Sequence, residues 1–208
     1  CLSLTYKIYY KSYIKTKKII YRREGKNLNN RKYILIATHK EFVPPKDKIY
    51  LPVHVGAIGK QDLGYQRDSE GINISRINPY FCELTGIYWA WKNLEAEYIG
   101  LDHYRRYFST KSVKYKEGLD INEYVLTGAD LDKYLEESDI LVPKKRKYYI
   151  ETLYSHYANT LDGTHLDKTR EIIKKIFPDY LNSFDKVMKK RSGYMFNMFI
   201  MPKTLVNE

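Results

Sequence analysis

The chain has 208 residues, with 36 Lys and Arg against 25 Asp and Glu, a formal net charge of +11, and it is 43% hydrophobic and 15% aromatic. Such a length suits one ordinary domain with an appendage; the apolar content excludes a disordered chain, and no apolar run approaches the ~18 residues of a transmembrane helix. Cys1 and Cys82 form no CxxC pair and are too few for a disulfide scaffold or a structural zinc site, which fits a reducing cytoplasm.

The charge is concentrated at the start. Residues 1–32 hold ten Lys or Arg and the single acid Glu24, a balance of +9, which leaves +2 for the rest of the chain. At helical spacing Lys7, Lys11, Lys15, Lys18 and Arg22 share one face and Leu2, Tyr6, Tyr9, Tyr13 and Ile20 the other. This predicts a basic amphipathic N-terminal helix, suited to an anionic membrane surface. A helix docked through its tyrosines, or a linker from a lost upstream domain, fits the same pattern. Gly25–Asn30 reads as a hinge. Cys1 at one end and Glu208 directly after an apolar segment at the other suggest a piece of a longer protein.

From Lys32 onward, short apolar runs alternate with helical stretches, the pattern of an α/β domain. Strands are predicted near Tyr33–Ala37, Tyr50–Val55, Tyr98–Leu101, Ile140–Val142 and Met195–Met201. A buried helix is predicted over Pro79–Asn93 with Asn78 as N-cap, and a second over Leu131–Glu137 capped by Asp130. Two more are expected at Asp167–Ile176 and Pro178–Lys190, the last stopped by Gly193.

In an open α/β sheet, ligands bind outside the carboxyl ends of the strands. Here those ends are polar: Thr38, His39 and Lys40; then Asp102, His103, Tyr104, Arg105 and Arg106; then Lys144, Lys145, Arg146 and Lys147. Positive charge converging on one edge suits a diphosphate. Asp102 is a candidate ligand for a divalent cation, and the alternative is an ion pair from Asp102 to Arg105 or Arg106. Extended backbone would put Asp102, Tyr104 and Arg106 on one face and His103 and Arg105 on the other. The loop Asp68–Asn78 leads into a helix N-terminus and suits an anion or sugar hydroxyls, or ordinary turn chemistry. Asn197 interrupts an apolar strand and needs a partner or a ligand. His54, His156 and His165 lack metal-motif spacing and read as structural or surface residues. There is no GxGxxG, P-loop or GxSxG motif.

The series ATHKEFVPP, YLPVHVGA, INISRINPYFCELTGIYWAWKN, YIGLDHYRRYF, ILVPKKR and FNMFIM, running from about Lys32 to Glu208, resembles a bacterial family of capsular-polysaccharide glycosyltransferases whose domain was long filed as one of unknown function. The resemblance implies a GT-A-like single domain with a mostly parallel central sheet flanked by helices. The expected activity is a UDP-sugar-dependent transfer, often galactosyl or galactofuranosyl, to cell-surface polysaccharide. It points to Asp102, His103, Arg105 and Arg106 for catalysis. Thr38, His39, Lys40, Asn73, Ser75, Asn78, Tyr104, Lys144, Lys145 and Asn197 are the expected substrate-binding residues. The single carboxylate at Asp102, where many GT-A enzymes carry DxD, leaves dependence on Mn or Mg open. Implied partners are the nucleotide-sugar donor, a lipid-linked or polysaccharide acceptor and, through residues 1–32, the inner face of the cytoplasmic membrane; nucleic acid is not among them. Asp68, Glu83 and Asp139 are unranked candidates for a catalytic base. A glycoside hydrolase, a nucleic-acid-binding module and an inactive relative are the rival readings.

Overall fold

The computed structural model describes residues 14–17, 31–111 and 120–206. In chain order the strands and α-helices are β1 (Ile14–Lys17), β2 (Lys32–Thr38), β3 (Tyr50–His54), β4 (Gln66–Arg67), α1 (Asn78–Phe81), α2 (Leu84–Asn93), β5 (Tyr98–His103), α3 (Gly128–Glu137), β6 (Ile140–Pro143), β7 (Arg146–Lys147), α4 (Leu153–Thr160), α5 (Gly163–Ile176), α6 (Leu181–Met188), β8 (Ser192–Gly193), β9 (Phe199–Pro202) and α7 (Lys203–Val206). They form two compact units, one reaching Lys144 and resuming at Asn197, the other spanning Lys145–Phe196. No described helix is long and apolar enough to cross a membrane.

The first unit is built on a seven-stranded sheet in the order β1-β6-β9-β5-β2-β3-β4. Strands β5, β2, β3 and β4 are mutually parallel; β9, β6 and β1 add antiparallel pairings beyond β5. Strand β2 is covered on both faces, which is why its sequence is a continuous apolar run. Ile34 and Ile36 enter one layer with Tyr50, Tyr98, Phe108, Leu126, Leu131, Leu141 and Ile200. Leu35 and Ala37 enter the other with Val53, Ile99, Leu101 and Ile87, Trp89 and Ala90 of α2. At ~1.5–3 kcal/mol for each fully buried large apolar side chain, these layers hold the unit together.

The predicted strands are present, with two differences. Strand β5 runs on to His103. The last begins only at Phe199, because Phe196 and Asn197 turn with φ of 74° and 54°; Asn197 therefore precedes the strand rather than interrupting it. The expected helix over Pro79–Asn93 is broken at Cys82, whose φ is 47°. Asn78 is no N-cap: its Nδ2 donates to the Cys82 carbonyl (2.6 Å) and to Thr85 Oγ1 (3.0 Å), holding the break. Helix α3 starts earlier than expected, with Thr127 as N-cap and Asp130 as the third residue of a capping box.

Of the basic segment, Ile14–Lys17 is a strand paired antiparallel with β6, not a helical turn; the rest of the expected amphipathic helix and hinge lies outside the described residues. The second unit contains the β7–β8 hairpin and α4–α6. Helix α4 was not anticipated, α5 begins at Gly163, and the expected Pro178–Lys190 helix divides into a 3-10 turn at Pro178–Tyr180 and α6. Gly193 lies in β8, well past the helix end. None of the residues in α4, α5 or α6 is fully buried. An Arg170–Asp185 pair, with bonds of 2.7 and 2.8 Å, joins α5 to α6.

Candidate active site

The order of the sheet fixes where to look. From β2 the chain moves outward to β3 and β4, then returns through α1 and α2 to β5 on the other side of β2. Loops leaving β2 and β5 thus diverge at their carboxyl ends, the switch point where open α/β sheets bind ligands. Strand β6 is antiparallel to β9, as is β5, so Lys144 follows β6 at this same edge.

Both switch-point loops turn at once. Thr38 Oγ1 donates to the Lys40 carbonyl (2.6 Å) and accepts from the Lys40 amide (3.2 Å). After β5 the chain reverses over His103–Arg106: the Arg106 amide donates to the His103 carbonyl (2.8 Å), and the His103 amide to the Arg106 carbonyl (3.0 Å). The extended arrangement expected for Asp102–Arg106 is therefore absent, and Tyr104 and Arg105 form the tip of the turn. The Tyr104 amide reaches back to the Ala37 carbonyl at 3.3 Å, which sets this tip beside the end of β2.

The Tyr104 ring organises the cluster. Lys40 Nζ lies 5.2 Å and Arg105 Cζ 4.8 Å from its centroid, His39 meets it edge-on at 5.4 Å, and Phe42 packs at 6.3 Å. Tyr65 fixes Phe42, donating its hydroxyl proton to the Phe42 carbonyl (2.6 Å) and accepting from the Phe42 amide (3.0 Å). Partial burial and then the charges of Lys40, Lys60 and Arg105 hold the His39 imidazole below its usual value, leaving it neutral at pH 7. A neutral donor–acceptor ring, two exposed cations and an aromatic face gather here, a combination suited to a phosphorylated ligand. Of the predicted residues, Thr38, His39, Lys40, Tyr104 and Arg105 come together, with His103 and Arg106 as the feet of the turn. Lys145 belongs to the second unit, where its ammonium lies 5.0 Å from the Tyr194 ring centroid.

Asp102 does not fit the metal-ligand role expected of it. It is fully buried; Oδ2 accepts from the Phe108 amide at 3.2 Å, and Oδ1 has no partner. Burial raises its carboxyl well above the ordinary 3.8, only partly opposed by the Phe108 bond. A carboxyl enclosed by protein, its charged form disfavoured by burial, is a poor cation ligand. Among the described residues no group of three or more His, Cys, Asp or Glu stands close enough to hold a metal ion.

This burial has a measurable consequence. Above the ordinary carboxyl value the native protein keeps a proton on Asp102 that the unfolded chain has released. Stability therefore falls as pH rises through that window, by up to ~1.4 kcal/mol per pH unit. Asp102→Asn imitates the protonated form and removes the dependence. Urea unfolding should give equal stabilities for variant and wild type near pH ~4 and a growing advantage for the variant as pH rises. Parallel profiles would show that Asp102 is ionised in the native state.

The loop Asp68–Asn78 is bonded within itself and to Gly56, Ala57 and Thr85 on either side. Asp68 is fully buried; Oδ1 accepts from the Ala57 amide (3.0 Å) and Ser75 Oγ (2.5 Å), and Oδ2 from the Gly56 amide (2.7 Å) and Thr85 Oγ1 (2.6 Å). Asn73 accepts from the Ser75 amide (3.2 Å) and donates to the carbonyls of Ser69 (2.9 Å) and Gly71 (2.8 Å). Asn73, Ser75 and Asn78, expected to bind substrate, thus hold the loop and tie it to Ile58, Cys82 and Thr85. Asp68 is likewise unsuited to be a base, with both oxygens doubly engaged.

Two other carboxylates separate by position. Asp139 precedes β6, at the edge of the sheet opposite the switch point. Glu83 begins the crossover helix α2 at the ligand edge, and Asn197 reaches the same edge because Phe199, the first residue of β9, pairs with Leu101. Asn197 Nδ2 donates to Glu83 Oε1 at 3.0 Å. The expected polar partner of Asn197 is therefore a carboxylate.

The model of a protein family described as a domain of unknown function, DUF4422, matches residues 33–208. No match is found among curated proteins. Among solved structures, the apo form of WbbM, a bifunctional glycosyltransferase, is 31% identical, with a TM-score of 0.73; the match covers 85% of this chain and 35% of that one. The chain thus spans about a third of the protein it resembles. It belongs to the DUF4422 family, and its α/β architecture is GT-A-like.

Proposed function

We propose that this domain is a glycosyltransferase that moves a hexose, galactose or galactofuranose, from a UDP-sugar to a growing capsular or other cell-surface polysaccharide at the inner face of the cytoplasmic membrane. The observation that carries this reading is the Tyr104 cluster, in which Lys40, Arg105 and a neutral His39 meet at the switch point of a sheet related to that of a glycosyltransferase. Breaking a sugar–diphosphate bond leaves negative charge on the departing nucleotide. Cations aimed at those oxygens stabilise that charge, a role that suits Lys40 and Arg105. Of the three candidate bases, Glu83 is the one held at this edge with an accessible side chain, steadied by Asn197. It is the group we assign to accepting the proton of the acceptor hydroxyl, should the reaction need a base.

Isothermal titration of the chain against UDP, with and without manganese, tests the reading. The expected result is saturable binding that weakens as salt is raised, as a charge-driven diphosphate site requires. Absence of UDP binding under both conditions would overturn the UDP-sugar assignment, and binding of GDP or ADP instead would redirect the donor.

A further inference from the structure

The second unit exposes apolar side chains that its own packing does not use. Helices α5 and α6 half-bury Leu166, Ile173, Leu181, Phe184 and Met188. Ile172 and Ile176 lie one turn apart on the solvent side of α5 and are 55% and 59% exposed. The chain then turns through Phe177 and Tyr180, 57% and 68% exposed, whose rings meet edge-on with centroids 6.5 Å apart. Four large apolar side chains thus follow one another around the corner from α5 into α6, where a folded protein seldom leaves such a patch to water without a use for it.

The same stretch is strongly basic. From Lys168 to Arg191 there are eight Lys or Arg and three Asp or Glu. Glu171 pairs with Lys168 (2.9 Å) and Asp185 with Arg170 (2.7 Å), which leaves Asp179 against Lys174, Lys175, Lys186, Lys189, Lys190 and Arg191. Charge then selects the occupant of the patch. A second copy of this chain would set like charges against each other around it. An anionic bilayer instead takes apolar and aromatic groups at headgroup level and attracts every lysine beside them.

We propose that the α5–α6 corner is a membrane-docking surface: Ile172, Ile176, Phe177 and Tyr180 enter the interface of an anionic leaflet, and Lys174 and Lys175, in the last turn of α5, meet its headgroup phosphates. This deepens the reading that the domain works at the inner face of the cytoplasmic membrane and rests on it for the choice of leaflet; the donor site plays no part in it. Ile172→Gln with Ile176→Gln should lower partition onto anionic vesicles about tenfold or more, because both side chains lose their transfer from water. Lys174→Gln with Lys175→Gln should lower it about twentyfold, at roughly fivefold for each lysine. All four side chains are exposed and Gln suits a helix, so neither variant should melt at a noticeably different temperature.

Co-sedimentation of the full chain and both variants with vesicles of phosphatidylglycerol and phosphatidylcholine, and of phosphatidylcholine alone, decides the matter. The expected pattern is wild-type binding to the anionic vesicles, little to the neutral ones, and the two losses above. Failure of the wild type to sediment with anionic vesicles would overturn the proposal. Equal partition of the isoleucine variant would do the same and assign the contact to another segment, such as residues 1–32. A dimer seen by analytical ultracentrifugation without lipid, and abolished in the isoleucine variant, would overturn it in favour of a second copy. Vesicle binding by a chain that binds no UDP would leave this inference standing while the donor assignment fell.

Discussion

Asp68→Ala is expected to destabilise the protein by ~3–5 kcal/mol, because truncating this carboxylate takes the acceptor from four buried donors, of which only the Thr85 hydroxyl has another within reach, the Cys82 carbonyl at 3.0 Å. The donors are the amides of Gly56 and Ala57 and the hydroxyls of Ser75 and Thr85, on three segments far apart in sequence. Gly56 sits at φ 61°, and a Cβ there would come within 2.4 Å of Asn78 Oδ1, so the backbone cannot easily reorganise to satisfy itself. The break between α1 and α2 depends on the same centre, since Thr85 both donates to Asp68 and accepts from Asn78. Against a total stability of ~5–15 kcal/mol for a typical domain, a loss of this size is severe. Ser75→Ala removes one donor and leaves three bonds to the carboxylate; its cost should be ~1 kcal/mol. Urea unfolding of the two variants checks both values, and a loss below ~1 kcal/mol for Asp68→Ala would mean that water replaces the carboxylate.

This centre shows why the sequence was informative about the sheet and misleading about the loop. Strands β2, β3 and β5 were legible because burial on both faces leaves apolar runs such as Tyr33–Ala37, a signal local to each strand. Asn73, Ser75 and Asn78 looked like ligand-binding residues for a sound reason: small polar side chains before a helix suit either a ligand or each other. The partners they have, Asp68 for Ser75 and Cys82 and Thr85 for Asn78, are a matter of three-dimensional position. Asp102 was misread similarly. Strand periodicity assigns it a face, but not whether the layer containing Tyr107 and Phe108 closes over it. Helix α4 gave no periodic signal because none of its residues is fully buried. The switch-point loops were legible because charge at the carboxyl end of a parallel strand has few structural uses, and Lys40, Tyr104 and Arg105 do meet there. His54, read as structural or surface, is buried at the end of β3.

The second large effect is expected at that cluster. Lys40→Ala and Arg105→Ala should each weaken UDP binding about tenfold, and the double variant about a hundredfold, since each cation gives up a charge-assisted bond to the diphosphate. Both side chains are exposed and each contributes only a cation–π contact of ~0.5–1 kcal/mol to the fold, so melting temperature should barely change. Pyrophosphate binding should fall in parallel with UDP. The salt dependence of binding should also flatten, because fewer ion pairs remain to be screened. A second readout needs no ligand. Lys40 and Arg105 both depress the His39 imidazole, so removing them must raise its titration towards the ordinary 6.5. Following the His39 ring protons by NMR against pH in the double variant gives that shift directly. An upward shift without loss of UDP affinity would confirm the geometry of the cluster and show that the diphosphate binds elsewhere; no shift would show that the three side chains are not gathered around Tyr104 in solution.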